Sequence, residues 1–187
     1  MKTVGVVLAI AVALALQGTL ARYVVQTGRT LDLVLVVVVY VALVAGPVAG
    51  LLAGAVGGLA QDCLSATGLA TVSSTGAIAL ARGIIGVGGL AKTVVGYAAG
   101  TLGALFIVTG LVPRLLLFFA ATVVHATIFL GLSAILDLRS GAVPYGAIAT
   151  QAVGNAVIGG VVCQFVERFP GFLERRRAVR GRSRRRG

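Results

Sequence analysis

Long apolar segments dominate this sequence and decide what it can fold into. Six largely apolar runs follow one another with short polar interruptions, and few charges fall inside them. Of all residues, 58% are hydrophobic and 11% are charged, against roughly 45–50% and 25% in an average soluble domain. A chain of 187 residues has too little interior to hide this much apolar surface from water. The sequence therefore predicts an all-α integral membrane protein, and it argues against a soluble enzyme or nucleic-acid-binding domain.

The lengths of the apolar runs predict a bundle of about six transmembrane helices, because about 20 helical residues cross the ~30 Å hydrocarbon layer. The predicted spans are residues 4–20, 33–44, 48–61, 84–112, 115–136 and 145–166. Five spans are the main alternative. The first run also resembles a cleaved signal peptide, since Lys2 precedes it, but we favour a retained helix. Ala45-Gly46-Pro47 interrupts the second and third runs and predicts a tight helical hairpin.

The positive charge is concentrated at the C-terminus. The chain has 16 Lys and Arg against 5 Asp and Glu, and nine of the arginines lie at or after position 168. We therefore distinguish a transmembrane domain, residues 1–169, from a basic tail, residues 170–187. Arginine-rich segments beside spans stay in the cytoplasm, so we expect a cytoplasmic tail and, with six spans, a cytoplasmic N-terminus.

The same topology turns Gly46-Pro47 and Pro113-Arg114 inward and places Asp32 in an outward connection. We expect the tail to contact anionic lipid or cytoplasmic partners, and nucleic-acid binding by the tail is a minor alternative. The arginines expected to make these contacts are Arg175, Arg176, Arg177, Arg184, Arg185 and Arg186.

Two glycine stripes indicate close helix packing. Residues spaced by four lie on one face of a helix, and a face without side chains lets another backbone approach. The first stripe, on the third span, is Gly46, Gly50, Gly54 and Gly58, and the second, on the fourth span, is Gly88, Gly96 and Gly100. Packing within the molecule is the main interpretation of these faces, and a subunit interface is the alternative.

Polar residues inside the spans need partners. Lys92 shares a helix face with the second glycine stripe, and a charge in hydrocarbon costs at least ~2.5–3.5 kcal/mol. Asp62, at the end of the third span, is the nearest candidate partner by topology. A structural ion pair or a snorkelling lysine competes here with a substrate contact or regulatory pair. His125 is expected to be an isolated, neutral hydrogen-bonding residue, and Asn155 to form interhelical hydrogen bonds.

Patterns typical of catalysis are not found in the sequence. Ser73-Ser74-Thr75-Gly76 has no histidine or acid near it to activate a hydroxyl, and Gly83 to Gly89 has no phosphate-binding lysine context. The two cysteines, Cys63 and Cys163, suit buried apolar positions better than a disulfide framework or metal cluster. We therefore expect a protein that is not an enzyme and needs no cofactor or metal.

Two segments resemble a known family. VAGLLAGAVGGLAQDCLS, residues 48–65, is a glycine-rich span that ends in Asp62 and is followed by Ser65. GIIGVGGLAKTVVGYAAG, residues 83–100, contains Lys92-Thr93 and Gly96-Tyr97. In this order, and with the basic C-terminus, these segments resemble the bacterial rod shape-determining protein MreD family. Residues 66–82 look like an insertion relative to that family.

The resemblance implies a non-enzymatic component of the cell-elongation machinery in the bacterial cytoplasmic membrane. It implies binding to MreC and, directly or indirectly, to MreB, RodA and its penicillin-binding transpeptidase, which build the lateral peptidoglycan wall. It also implies a fold similar to the substrate-binding (S) components of energy-coupling-factor transporters. Docking of the MreC transmembrane helix on exposed small-residue faces is the expected mechanism.

Two other classes compete with this interpretation. A small-molecule-binding subunit of a vitamin-type transporter suits six glycine-rich spans, but it should show converging polar and aromatic groups, and few are present. A lipid-modifying membrane enzyme would need clustered carboxylates or histidines, which the sequence lacks.

Overall fold

The computed structural model describes residues 3–24, 31–66, 86–106, 110–136 and 145–168, and all its regular structure there is helical. The all-α prediction is therefore confirmed. The helices are α1 (Thr3–Val24), α2 (Leu33–Ala45), α3 (Pro47–Ala66), α4 (Val87–Leu105), α5 (Leu111–Ile135) and α6 (Tyr145–Arg168). Each overlaps mainly with one predicted span.

Glycines mark the boundaries of three helices. Gly46 ends α2 with φ of 97°, and Pro47 then begins α3, because proline is well suited to the first helical position. Gly46 thus lies in the turn, and its predicted place on the face of the third helix is wrong. Gly86 and Gly110, also with positive φ, precede α4 and α5, a conformation that glycine adopts without strain.

The boundary between the fourth and fifth helices differs from the prediction. α4 ends at Leu105 and α5 begins at Leu111, so Pro113 lies in the first turn of α5 and does not form the turn between them. The first four amides of a helix have no intrahelical acceptor, and a proline there loses no hydrogen bond.

α2 is the central helix. Val34, Val38 and Val41 face an apolar cluster with Ile10 of α1 and Ala53 of α3. Its other faces join a second cluster with α4, α5 and α6, whose buried members are Leu35, Val36, Val39, Ala42, Val95, Ala99, Phe118, Ala121, Ala156 and Cys163.

The outer surface of the described helices is apolar. Side chains such as Leu8 of α1, Leu52 of α3, Leu116 of α5 and Val161 of α6 are more than half exposed. Within the described residues, three helical segments are long and apolar enough to cross a membrane: Pro47–Leu64, Leu111–Ile135 and Tyr145–Val166. These helices indicate a membrane protein, since charged and polar residues are buried inside while leucine and valine cover the outside.

Contacts between helices fix their directions. Gly50 lies against Gly96, and Gly58 lies against Gly89, so α3 and α4 are antiparallel. α5 and α6 are antiparallel because Phe118 and Leu115 of α5 pack on Gly159 and Gly160 of α6. α4 and α5 are antiparallel too, since Lys92 lies beside His125 and later residues of α4 share an apolar cluster with Phe118, which comes earlier in α5. The α2–α3 turn, the end of α4, the start of α5 and the end of α6 therefore share one end of the helix assembly.

Candidate functional site: a buried polar network at the start of α2

An ion pair lies inside the helix assembly. Lys92 Nζ of α4 is 2.8 Å from Asp32 Oδ2, and the two side chains are only 3% and 5% exposed, respectively. Asp32 immediately precedes α2, and its other carboxylate oxygen accepts a hydrogen bond of 2.9 Å from the Leu35 amide. One carboxylate therefore caps the central helix and neutralises the buried lysine at the same time.

His125 extends the ion pair towards α5. Its Nε2 is 3.3 Å from Lys92 Nζ, and its ring stacks on Phe129 with centroids 6.2 Å apart. A lysine ammonium only donates hydrogen bonds, so His125 Nε2 is the acceptor and the imidazole is neutral in this contact. The three groups together carry no net charge.

Asn155 extends the same network into α6. Its Oδ1 accepts a 3.1 Å hydrogen bond from the Asp32 amide, and its Nδ2 donates to Thr122 Oγ1 over 3.2 Å. The Thr122 hydroxyl donates in turn to the Phe118 carbonyl. We call Asp32, Lys92, Thr122, His125 and Asn155 the polar network. It joins the start of α2 to α4, α5 and α6.

The polar network lies midway along the longer helices. His125 and Asn155 are near the middle of α5 and α6, while Val34, in the first turn of α2, lies near Gly57 in the middle of α3. The 13-residue α2 thus begins deep inside the assembly. Ionisable groups at such a depth are costly and commonly mark functional positions in membrane proteins.

Two predictions about these residues are wrong. Lys92 pairs with Asp32 and not with Asp62. His125 is not isolated, because Lys92 lies beside it and Asp32 lies next to that lysine. Asp32 itself is buried, and the outward orientation predicted for its connection stays a prediction. The interhelical hydrogen bonds predicted for Asn155 are present.

Asp62 has a different task. Its Oδ2 accepts hydrogen bonds of 2.9 Å from the Gly86 amide and 3.0 Å from the Gly89 amide. These amides are at the N-terminus of α4, where they have no intrahelical acceptor. A carboxylate is favourable there because the amides carry partial positive charge. Asp62, near the end of α3, thus caps the N-terminus of α4.

The two glycine stripes face each other. A Cβ added at Gly50 would clash with the Gly96 carbonyl, and one added at Gly54 would clash with the Lys92 carbonyl. Added at Gly58, it would approach Gly89, and at Gly100 it would meet Pro47. Gly88 is instead covered by the Asp62 carboxylate. The stripes therefore hold α3 and α4 together, as the main interpretation predicted. The docking mechanism expected these faces to be exposed for a partner helix, and this expectation is wrong.

The remaining predicted residues have more ordinary surroundings. The Thr93 hydroxyl donates to the Gly89 carbonyl of its own helix, and Tyr97 is 51% exposed on the outer surface. The side chain of Ser65, residues 67–82 of the insertion, and the tail with Arg175, Arg176, Arg177, Arg184, Arg185 and Arg186 lie outside the described residues.

Asp32 is the residue of the polar network that sequence reasoning missed. The signal was present, since an aspartate directly before an apolar run is a typical helix N-cap, and its charge is opposite to that of Lys92. As arranged, the polar network can hold four helices in register. The described residues contain no cluster of three or more His, Cys, Asp or Glu side chains that could hold a metal ion.

Comparison of the chain with protein families, with characterised proteins and with solved structures gives no match.

Proposed function

We propose that the protein is a non-enzymatic membrane scaffold of the bacterial cell-elongation machinery, of the MreD type. In this proposal all six helices span the cytoplasmic membrane in a fold similar to transporter S components. The scaffold binds MreC and, directly or indirectly, MreB, RodA and its penicillin-binding transpeptidase. It thereby helps to control rod shape and lateral peptidoglycan synthesis.

The observation that carries the proposal is the relation between the two segments that resemble the family. The first forms nearly all of α3 and the second forms most of α4, and the two helices pack backbone to backbone through their glycines. Asp62 of the first segment caps the second. The glycines and Asp62 of the two segments thus build a tightly joined helix pair.

We place the partner helix on the outer surface of the α3–α4 pair. Since the glycine faces are used internally, MreC has the outer face available, where Leu52 and Val56 of α3 and Leu90 and Val94 of α4 are 45–57% exposed. An exposed apolar surface of this kind suits a single transmembrane helix that associates by shape complementarity.

The distribution of charge supports the proposed orientation. α6 ends at Arg168, at the same end as Arg114 near the start of α5, and eight further arginines follow in the tail. Positive residues of short segments mark the cytoplasmic side. The proposal therefore places this end, with the tail against anionic lipid or cytoplasmic partners, in the cytoplasm.

Co-purification tests the proposal. We expect the tagged protein, solubilised in mild detergent, to retain a single-span MreC-like protein from the same cell. A Val56→Trp substitution on the proposed face should weaken the complex. Val157→Trp, equally exposed on α6, is the matched control and should leave it intact. A folded protein that retains no MreC-like partner would contradict the proposal.

One observation favours the alternative of a small-molecule-binding transporter subunit. The polar network lies at the depth where membrane carriers bind substrates beside the ends of short helices. Its polar groups satisfy one another, however, which suits a structural network better than an open ligand site. Loss of a bound small molecule after Lys92→Met would favour this alternative, provided that the variant stays folded.

A further inference from the structure

Helices α2 to α6 form two groups, and the contacts within each group differ from the contacts between the groups. α3 and α4 meet backbone to backbone, and α2 packs on both. α5 and α6 form a separate pair in which Gly159 and Gly160 receive Phe118 and Leu115. The contacts between the groups come from the apolar cluster around Phe118, from the Leu31 side chain against Gly154 and from the polar network, which includes the Asp32 backbone amide.

We call the boundary between the two groups the joint. Both charged side chains of the polar network lie on one side of it. The Asp32–Lys92 ion pair belongs wholly to the α2–α4 group, and the Asn155–Thr122 bond belongs wholly to the α5–α6 pair. Two hydrogen bonds of the network cross the joint: Lys92 to His125 and the Asp32 amide to Asn155. The acceptors, His125 Nε2 and Asn155 Oδ1, are neutral, and Asp32 and Lys92 compensate each other. Each side of the joint is therefore electrically neutral by itself.

We propose that the polar network is a releasable latch, which lets the α5–α6 pair separate as a unit from α2–α4 while the Asp32–Lys92 ion pair stays closed. Separation at this joint breaks two hydrogen bonds and opens an apolar contact, but it leaves no charge uncompensated. Separation anywhere through the ion pair would leave two bare charges in an apolar interior. Among separations that pass through the polar network, the one at this joint therefore costs the least.

A native cysteine reports on the joint. Cys163 of α6 is 5% exposed and belongs to the apolar cluster between the groups, whereas Cys63 is exposed and can be removed by Cys63→Ser. In this background we expect a maleimide to modify Cys163 slowly in the detergent-solubilised full chain. His125→Leu and Asn155→Leu should each accelerate the reaction about tenfold, since each removes one crossing bond.

Thr127→Val is the matched control for the latch. This exposed threonine of α5 bonds to the Val123 carbonyl of its own helix, so the labelling rate should not change. Opening of the joint without global unfolding predicts a rate that is independent of denaturing detergent at low concentrations. The proposal is overturned if neither latch variant labels faster, or if the labelling rate follows global unfolding from the lowest detergent concentration.

Discussion

Removal of one charge from the buried ion pair should destabilise the protein much more than removal of both. Asp32→Asn keeps the size of the side chain and an oxygen that can cap the Leu35 amide, so it isolates the effect of charge. Lys92→Met likewise keeps most of the aliphatic side chain. Each single variant leaves one buried charge without its counter-ion, and the side chains concerned are 3% and 5% exposed.

The expected loss follows from this burial. Breaking a buried pair by removal of one partner costs about 3–5 kcal/mol, and the ~2.5–3.5 kcal/mol for a charge at the centre of a membrane helix is of the same size. Since about 1.4 kcal/mol corresponds to a tenfold change, the ratio of folded to unfolded protein should fall by roughly 100-fold or more. The double variant, which has neither charge, should be within about 1 kcal/mol of the wild type.

Reversible unfolding by SDS in mixed micelles measures these free energies for the wild type, both single variants and the double variant. Thr101→Val on α4 is the control, because its hydroxyl bonds to the Tyr97 carbonyl one turn earlier. A double variant as unstable as the single variants would refute the reasoning. The residues would then act through their shape or other hydrogen bonds and not through charge compensation.

Three further predictions concern packing, capping and the tail. Gly54→Leu should prevent folding, because its side chain would overlap the backbone of α4, whereas Gly131→Leu, with open space around it, should not; yield of monodisperse protein after size-exclusion chromatography distinguishes them. Asp62→Ala should cost ~1–2 kcal/mol in the same SDS titration, since two amides at the start of α4 lose their acceptor. Replacement of the six arginines between 175 and 186 named above by glutamine should weaken flotation of a fluorescent 168–187 peptide with anionic vesicles, and equal flotation with neutral vesicles would show that charge is not responsible.

The helices themselves could be predicted from the sequence because two local signals agree. Apolar runs of spanning length give the helix bodies, and Gly46-Pro47 gives a boundary through backbone geometry alone. Pro113 misled the prediction for an equally local reason: a proline is tolerated in the first turn of a helix as well as between helices. Whether the proline stands in the first turn of a helix or between two helices depends on where the helix begins. The amino-acid composition of the segment does not reveal that position.

The partner of Lys92 could not be predicted in the same way. Its burial requires a counter-charge, and both Asp32 and Asp62 are adjacent to apolar runs. The choice depends on how deep each helix begins. α2 starts midway along its neighbours and brings Asp32 to the lysine, while Asp62 lies at the N-terminus of α4. A depth difference of this kind arises from the packing of all six helices, which no short segment encodes.

The two kinds of helix joint have different consequences for a protein that works inside a membrane. Glycine-to-glycine packing, as between α3 and α4, leaves no room for adjustment, because any displacement loses close contact along the whole stripe. Hydrogen bonds to neutral acceptors, as from Lys92 to His125 and from the Asp32 amide to Asn155, can break and re-form. Lipid offers no water to replace them, so the open form is not stabilised by solvent and would be populated when a partner binds it more tightly than the closed form. In the proposed scaffold, a rigid pair, α3–α4, and a separable pair, α5–α6, would therefore let the protein hold one partner while it responds to another.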